Sequence, residues 1–221
     1  MSHVFQSGKC NRVYRFFLYL MMPLVFVAAG PAKAADLKLV VLGDSLSAGY
    51  QLSAGDGFPE QLQRALDQRG HSVEVVNAGV SGDTSSGGLS RLDWSVGNDT
   101  DAVIVELGAN DALRGIQPEV TRKNIQDIVT RLKDKKIAVL LAGMLAPRNL
   151  GDAYAQAFDS IYPDVSKEQG ALLYPFFLDG VALNPDLNLA DGMHPNAKGV
   201  AVIVENILPM VEELLLEAGK S

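Results

Sequence analysis

The sequence predicts an α/β protein built on a parallel, doubly wound sheet, and three observations carry that reading. Four segments rich in Val, Ile and Leu do not alternate cleanly with polar residues, which is how strands covered on both faces read. Segments with apolar residues at helical spacing lie between them. The irregular stretches that hold the unusual residues all follow strands, at the edge where such sheets bind ligands.

Taken in order, LKLVVL (37–42) is the first strand and runs straight into Gly43-Asp44-Ser45. A helix follows in FPEQLQRALDQRG, with Leu62, Ala65, Leu66 and Arg69 at helical spacing and a stop at Gly70. VEVVNA (73–78) and DAVIVEL (101–107) are the second and third strands. PEVTRKNIQDIVTRLKDK then aligns Ile125, Ile128, Val129 and Leu132 on one helical face, with charge opposite. KIAVLLAG (136–143) is the fourth strand, residues 152–169 are helical, and ALLYPF (171–176) is a weaker fifth strand. A final helix over 196–217 carries the stripe Val200, Ile203, Ile207, Val211 and Leu214, and Pro209 is expected to bend it. About five alternations imply right-handed crossovers. Residues 43–57, 79–88, 108–117, 144–151 and 177–195 read as irregular, and there is no internal repeat, low-complexity tract or inter-domain linker.

The first 34 residues stand apart. Lys9, Arg12 and Arg15 precede FFLYLMMPLVFVAA, and Ala32 and Ala34 form an A-x-A site, the layout of a cleaved secretory signal peptide. The run is shorter than the roughly 20 residues of a spanning helix, and Pro23 interrupts it. The expected mature chain is a single domain, 35–221, in the periplasm or secreted, with no stable membrane insertion. The leader holds four of 19 basic residues and none of 26 acidic ones, so the mature formal charge is 15 − 26 = −11. An acidic surface without basic clusters argues against nucleic acid and anionic membranes as partners. The only cysteine, Cys10, leaves with the leader, so folding needs no disulfide. Two histidines remain, with no H-x-x-x-H pair and no glycine-rich phosphate loop after the first strand, so neither a metal nor a nucleotide cofactor is expected.

The post-strand loops supply the groups that acyl transfer needs. Ser45, at the end of a rigid strand, is the candidate nucleophile. His194 is the candidate base, and Asp191, three residues earlier, is placed to fix its tautomer. Pro195 suits the first position of the following helix and stiffens that turn. The backbone N–H groups of Ser45 and Gly79 and the side-chain amide of Asn110 form the candidate oxyanion hole, glycine at 79 allowing close approach to substrate. Asp44 and Asp111 read as loop stabilisers, and Trp94 as a packing residue. Met144, Leu145, Leu150, Phe177, Leu178, Val181 and Leu183 offer the apolar surface for an acyl groove.

The GDS block at 43–45, the glycine block at 79, G-x-N-D at 108–111 and D-x-x-H-P at 191–195 resemble those of the SGNH hydrolases, the GDSL esterase and lipase superfamily. The four blocks stand in the family's order across essentially the whole mature chain. The phrases GDSLSAGY, VVNAGVSGDT, ELGANDALRG, IYPDVSKE and PFFLDGV resemble a narrower group, the secreted bacterial thioesterase I, lysophospholipase and arylesterase type. The resemblance implies a three-layer α/β/α sandwich with flavodoxin-like strand order 2-1-3-4-5. It also implies a Ser45, Asp191 and His194 triad, with Gly79 and Asn110 completing the oxyanion hole. Acyl esters and thioesters are the implied substrates, and the expected form is a monomer. Two other readings stand beside it: a carbohydrate acetyl-esterase on the same scaffold, and an exported binding module without chemistry. An oriented general base argues against the second.

Overall fold

The structure, a computed structural model, describes residues 1–3 and 37–219. Apart from its first three residues, the predicted leader lies outside the described residues.

The strands β1 (Leu37–Gly43), β2 (Val73–Gly79), β3 (Ala102–Glu106), β4 (Ala138–Ala142) and β5 (Leu172–Tyr174) form one sheet of order β2-β1-β3-β4-β5. Every neighbouring pair is parallel. The chain steps from β1 to β2, then returns across β1 to β3, so the winding direction reverses between β1 and β3. In sheets of this kind the loops leaving two such strands diverge, and ligands bind at their carboxyl ends. At those ends Gly43 of β1 stands opposite Gly79 of β2 and Glu106 of β3.

Both faces of the sheet are covered, which is why the strands did not alternate. Leu39, Val40, Val41 and Leu42, with Val103, Ile104 and Val105, are all buried. On one face α2 (Phe58–Gln68) packs against α9 (Ala197–Ala218); on the other lie α3 (Ser85–Ser90), α6 (Pro118–Asp134), α7 (Asp152–Asp159) and α8 (Ile161–Gln169). Proline opens α6 at its first position and α2 at its second, where a missing N–H costs nothing. Asn196 caps α9 by accepting from the N–H groups of Lys198 and Gly199, and α9 runs on through Pro209 without a break.

Three expectations are corrected. The helical stretch 152–169 is two helices meeting at Ser160. Pro163 is the third residue of the second helix, in the first turn, where its missing N–H has no helical partner to lose. Four of the stretches read as irregular contain short helical elements: α1 (Ser45–Ala48), α3, α5 (Ala109–Leu113) and a 3₁₀ turn at Arg148–Leu150, while α4 (Leu92–Ser95) follows α3. One or two turns are too short to show a helical period. Trp94, read as a packing residue, is 86% exposed on α4.

Candidate active site

Ser45 is the first residue of α1, delivered by β1 and held by the cap beneath it: the Asp44 side chain accepts from the Leu46 N–H at 3.0 Å. Its Oγ lies 2.9 Å from His194 Nε2. His194 Nδ1 lies 2.7 Å from Asp191 Oδ2, and Asp191 Oδ1 accepts the backbone N–H groups of Met193 (2.9 Å) and His194 (3.0 Å). Those N–H donors, that of His194 first, outweigh a small burial penalty, and with the imidazole they hold the Asp191 carboxyl down at about 2. The short turn is thus rigid, its backbone fixed further by the Leu189 N–H donating to the His194 carbonyl at 2.7 Å. The Tyr50 ring covers the imidazole, with centroids 4.6 Å apart and planes tilted by 40°.

Asn110, in the first turn of α5, donates through Nδ2 to Asp44 Oδ2 at 2.8 Å, which leaves its second amide hydrogen free to point elsewhere. The Ser45 N–H has no acceptor among the described residues. Asp44 itself is fully buried. Burial pushes its carboxyl up to about 6, against the opposing pull of the Leu46 N–H, the Asn110 amide and the His194 charge.

Gly79 does not join this group. Its N–H donates to Asn77 Oδ1 at 2.9 Å. The need for glycine there is also different from the expected one: a Cβ would strike the backbone of Ser47 and Ala48, so Gly79 lets β2 approach α1 rather than substrate. Three residues on, Gly82 has φ +80° and an N–H without an acceptor among the described residues. Asp111 is a loop stabiliser, as read from the sequence. Buried, it accepts from the Ser85 N–H (2.7 Å), from the Ser85 hydroxyl and from Thr121 Oγ1 (3.1 Å), tying α5 to α3 and α6. His71 stands apart from this set, its Nε2 3.0 Å from Glu212 Oε1 of α9.

Three side chains at the site were not singled out in the sequence. Arg91 donates to the Gly43 carbonyl (2.9 Å), the Ala78 carbonyl (2.7 Å) and Asp83 Oδ2 (2.6 Å), clamping the ends of β1 and β2. Tyr50 is the ring over His194. Glu106 closes β3 directly under Asp44. Only Glu106 left a signal, as the one acid inside the apolar run AVIVEL.

A hydroxyl, an imidazole and a carboxylate in hydrogen-bonded sequence at the switch point of a parallel sheet define an α/β/α hydrolase. The chain belongs to the GDSL-like Lipase/Acylhydrolase family, whose model matches residues 41–202. It is 39% identical to an arylesterase of Vibrio mimicus over 187 residues, 84% of this chain and 94% of that protein. It is 40% identical to thioesterase 1/protease 1/lysophospholipase L1 of Escherichia coli K12, over 93% of this chain and 96% of the relative. The crystal structure of the psychrotrophic esterase EstA from Pseudoalteromonas superposes with a TM-score of 0.77 at 32% identity, over 81% of this chain and 99% of that one.

Proposed function

We infer that the protein is a serine esterase that hydrolyses acyl esters and thioesters through an acyl-enzyme on Ser45. The observation that carries this reading is the unbroken series Asp191–His194–Ser45, with contacts of 2.7 and 2.9 Å. Ser45 Oγ attacks the acyl carbonyl while His194 Nε2 takes its proton and then passes it to the departing alcohol or thiol. Asp191, ionised throughout, steadies the imidazolium. Water then attacks the acyl-enzyme by the same proton path in reverse.

Negative charge on the carbonyl oxygen is met by the Ser45 N–H and the free Asn110 amide hydrogen. Gly82 replaces Gly79 as the second main-chain donor, because its N–H is unengaged and that of Gly79 is not. No cofactor is required. The names of the relatives, arylesterase and thioesterase/lysophospholipase, favour acyl chains over acetyl-sugars. The catalytic domain is residues 35–221, a monomer in the periplasm or secreted after loss of the leader. No helix of the described residues is long and apolar enough to cross a membrane.

Diisopropyl fluorophosphate tests the reading directly, and the structure of EstA inhibited by monoethylphosphonate is its precedent. The reagent should inactivate the protein and label Ser45 alone, and Ser45→Ala should lower turnover on the order of 10⁶-fold. An adduct mapped to Ser47 or Ser81 would overturn the assignment.

A further inference from the structure

Glu106 is fully buried, and the catalytic steps above make no use of it. Its Oε2 accepts from the Ser47 hydroxyl at 2.7 Å and from the Asp44 N–H at 3.2 Å. These two groups flank Ser45, one residue before it and two after. Oε1 has no hydrogen-bond partner among the described residues. Gly43 is glycine on account of this side chain: a Cβ there would collide with Glu106 Oε2 and the Ser47 hydroxyl. Space, backbone and hydroxyl are thus all arranged around one carboxyl group beneath the nucleophile.

We propose that Glu106 is a positioning residue for Ser45, holding the first turn of α1 in place through Asp44 N–H and Ser47 Oγ while itself remaining a neutral acid. The proposal rests on the reading of Ser45 as nucleophile. Two buried carboxyl groups, Glu106 and Asp44, lie side by side, and neither forms an ion pair with a lysine or arginine among the described residues. Both cannot carry charge there without a large cost. Asp44 has the better claim to ionisation, because its two oxygens accept from Leu46 and Asn110 and the His194 charge favours it. Glu106 has an orphan oxygen instead, the natural place for a proton. Burial first, and then the Asp44 charge, push its carboxyl well above the usual glutamate range. The other groups around it do not reverse this. The Tyr162 phenol of α8 is itself pushed up by burial, and Arg91 spends its guanidinium on the Gly43 and Ala78 carbonyls and Asp83.

Three variants of the full chain test this with p-nitrophenyl esters, fluorophosphonate and thermal unfolding. Glu106→Gln, a neutral isostere, should keep kcat within about threefold of wild type. Glu106→Ala and Glu106→Asp, which lose the reach to Asp44 N–H and Ser47, should lower kcat about 10- to 100-fold with KM within about twofold. The rate of Ser45 phosphonylation should fall in parallel, reporting the placement of the nucleophile without an acyl group to bind. A neutral native Glu106 also fixes a pH signature. Because the unfolded chain ionises it at ordinary pH and the native state does not, wild-type stability is full at acid pH and falls as pH rises. The melting temperature of wild type relative to Glu106→Gln should therefore drop steadily between about pH 5 and pH 8. A flat difference means an ionised native Glu106 and overturns the proposal. So does a folded Glu106→Ala protein with wild-type kcat, or a Glu106→Gln protein as impaired as Glu106→Ala. Should Glu106→Ala and Glu106→Asp fail to fold, the Gln variant and its pH slope decide alone. Wild-type protein that neither turns over ester nor takes the label would count against the esterase reading instead, since the pH slope does not depend on turnover.

Discussion

At the scale of the residue, the candidate site separates the proposed reacting groups from the groups that hold them in place. Asn110 is held at 2.8 Å by Asp44, so one amide hydrogen is fixed and the other is directed. If that second hydrogen meets the developing oxyanion, Asn110→Ala should lower kcat about 10²- to 10³-fold and leave KM nearly unchanged. Steady-state kinetics on folded protein check this, and an effect confined to KM would reduce Asn110 to a binding contact. Asp44 makes a separate prediction in pH. Its carboxyl is raised to about 6, so its contribution to stability is full below the ordinary aspartate range and is lost as pH climbs through that value. Wild type should therefore lose melting temperature relative to Asp44→Asn between about pH 4 and pH 7. Asp191 has the opposite sign: held at about 2, it contributes above the ordinary range and fails only as pH falls towards that value. A wild-type advantage that grows with pH would show that buried Asp44 gains more from its donors than burial costs. Ser45, Asp191, His194 and Asn110 could be read from the sequence because their motifs pair a chemically active side chain with a loop after a strand. Gly79 and Gly82 could not be told apart, since the difference lies in which N–H has found a partner. That depends on the Asn77 side chain in three dimensions, not on the glycine pattern.

Among the elements, the smallest carry the site, and they were the least visible. Helix α1 is four residues long and needs support from outside itself. It receives the Asp44 cap at its start, the close approach of Gly79 from β2 and the carboxyl of Glu106 from β3. Long helices such as α6 declared themselves through Ile125, Ile128, Val129 and Leu132, whereas no periodicity exists over one turn. Arg91 supplies the remaining constraint by joining the carbonyls of Gly43 and Ala78 to Asp83 of the following loop. Removing it takes one donor from each of two strand-end carbonyls, of which that of Gly43 keeps the Val80 N–H at 3.0 Å, and breaks the ion pair of the mostly buried Asp83. Arg91→Ala should cost about 2–4 kcal/mol in denaturant unfolding, and Arg91→Lys should recover little, because one ammonium cannot span three acceptors. Full recovery by lysine would mean that charge near Asp83, not the forked geometry, is what matters.

For the whole molecule, topology was legible and the apolar surface of the loops only in part. Runs rich in Val, Ile and Leu such as LKLVVL and AVIVE, short and alternating with helical segments, read as strands covered on both faces, so the parallel sheet and the site at its carboxyl edge followed. Sequence cannot tell an apolar residue that lines a groove from one that fills the core. Met144, Phe177 and Val181, read as groove residues, are buried, Phe177 packing edge-on against Phe58 at 5.0 Å. Cavities of about 470 and 200 Å³ lie elsewhere, between α2 and α9 and beside His71 and Glu212. Leu145, Leu150 and Leu183 of the expected set are exposed on the loops at the carboxyl edge, and Val80, Leu113 and Met193 join them. An acyl chain lying on such a surface buries one side and leaves the other in water. Full burial contributes about 0.8 kcal/mol per methylene, so half of it gives roughly a twofold rise in kcat/KM per added carbon. A series of p-nitrophenyl esters from acetyl to decanoyl should therefore rise gently and level off without a sharp limit. An abrupt optimum at one length would reveal a closed pocket, and a fall from acetyl onwards would turn the reading towards acetyl-sugars. Leu183, 91% exposed and held at φ +63° in the loop before Asp191, gives the sharpest check. If the chain crosses that loop, Leu183→Ser should flatten the series for long esters while leaving acetyl turnover as it was.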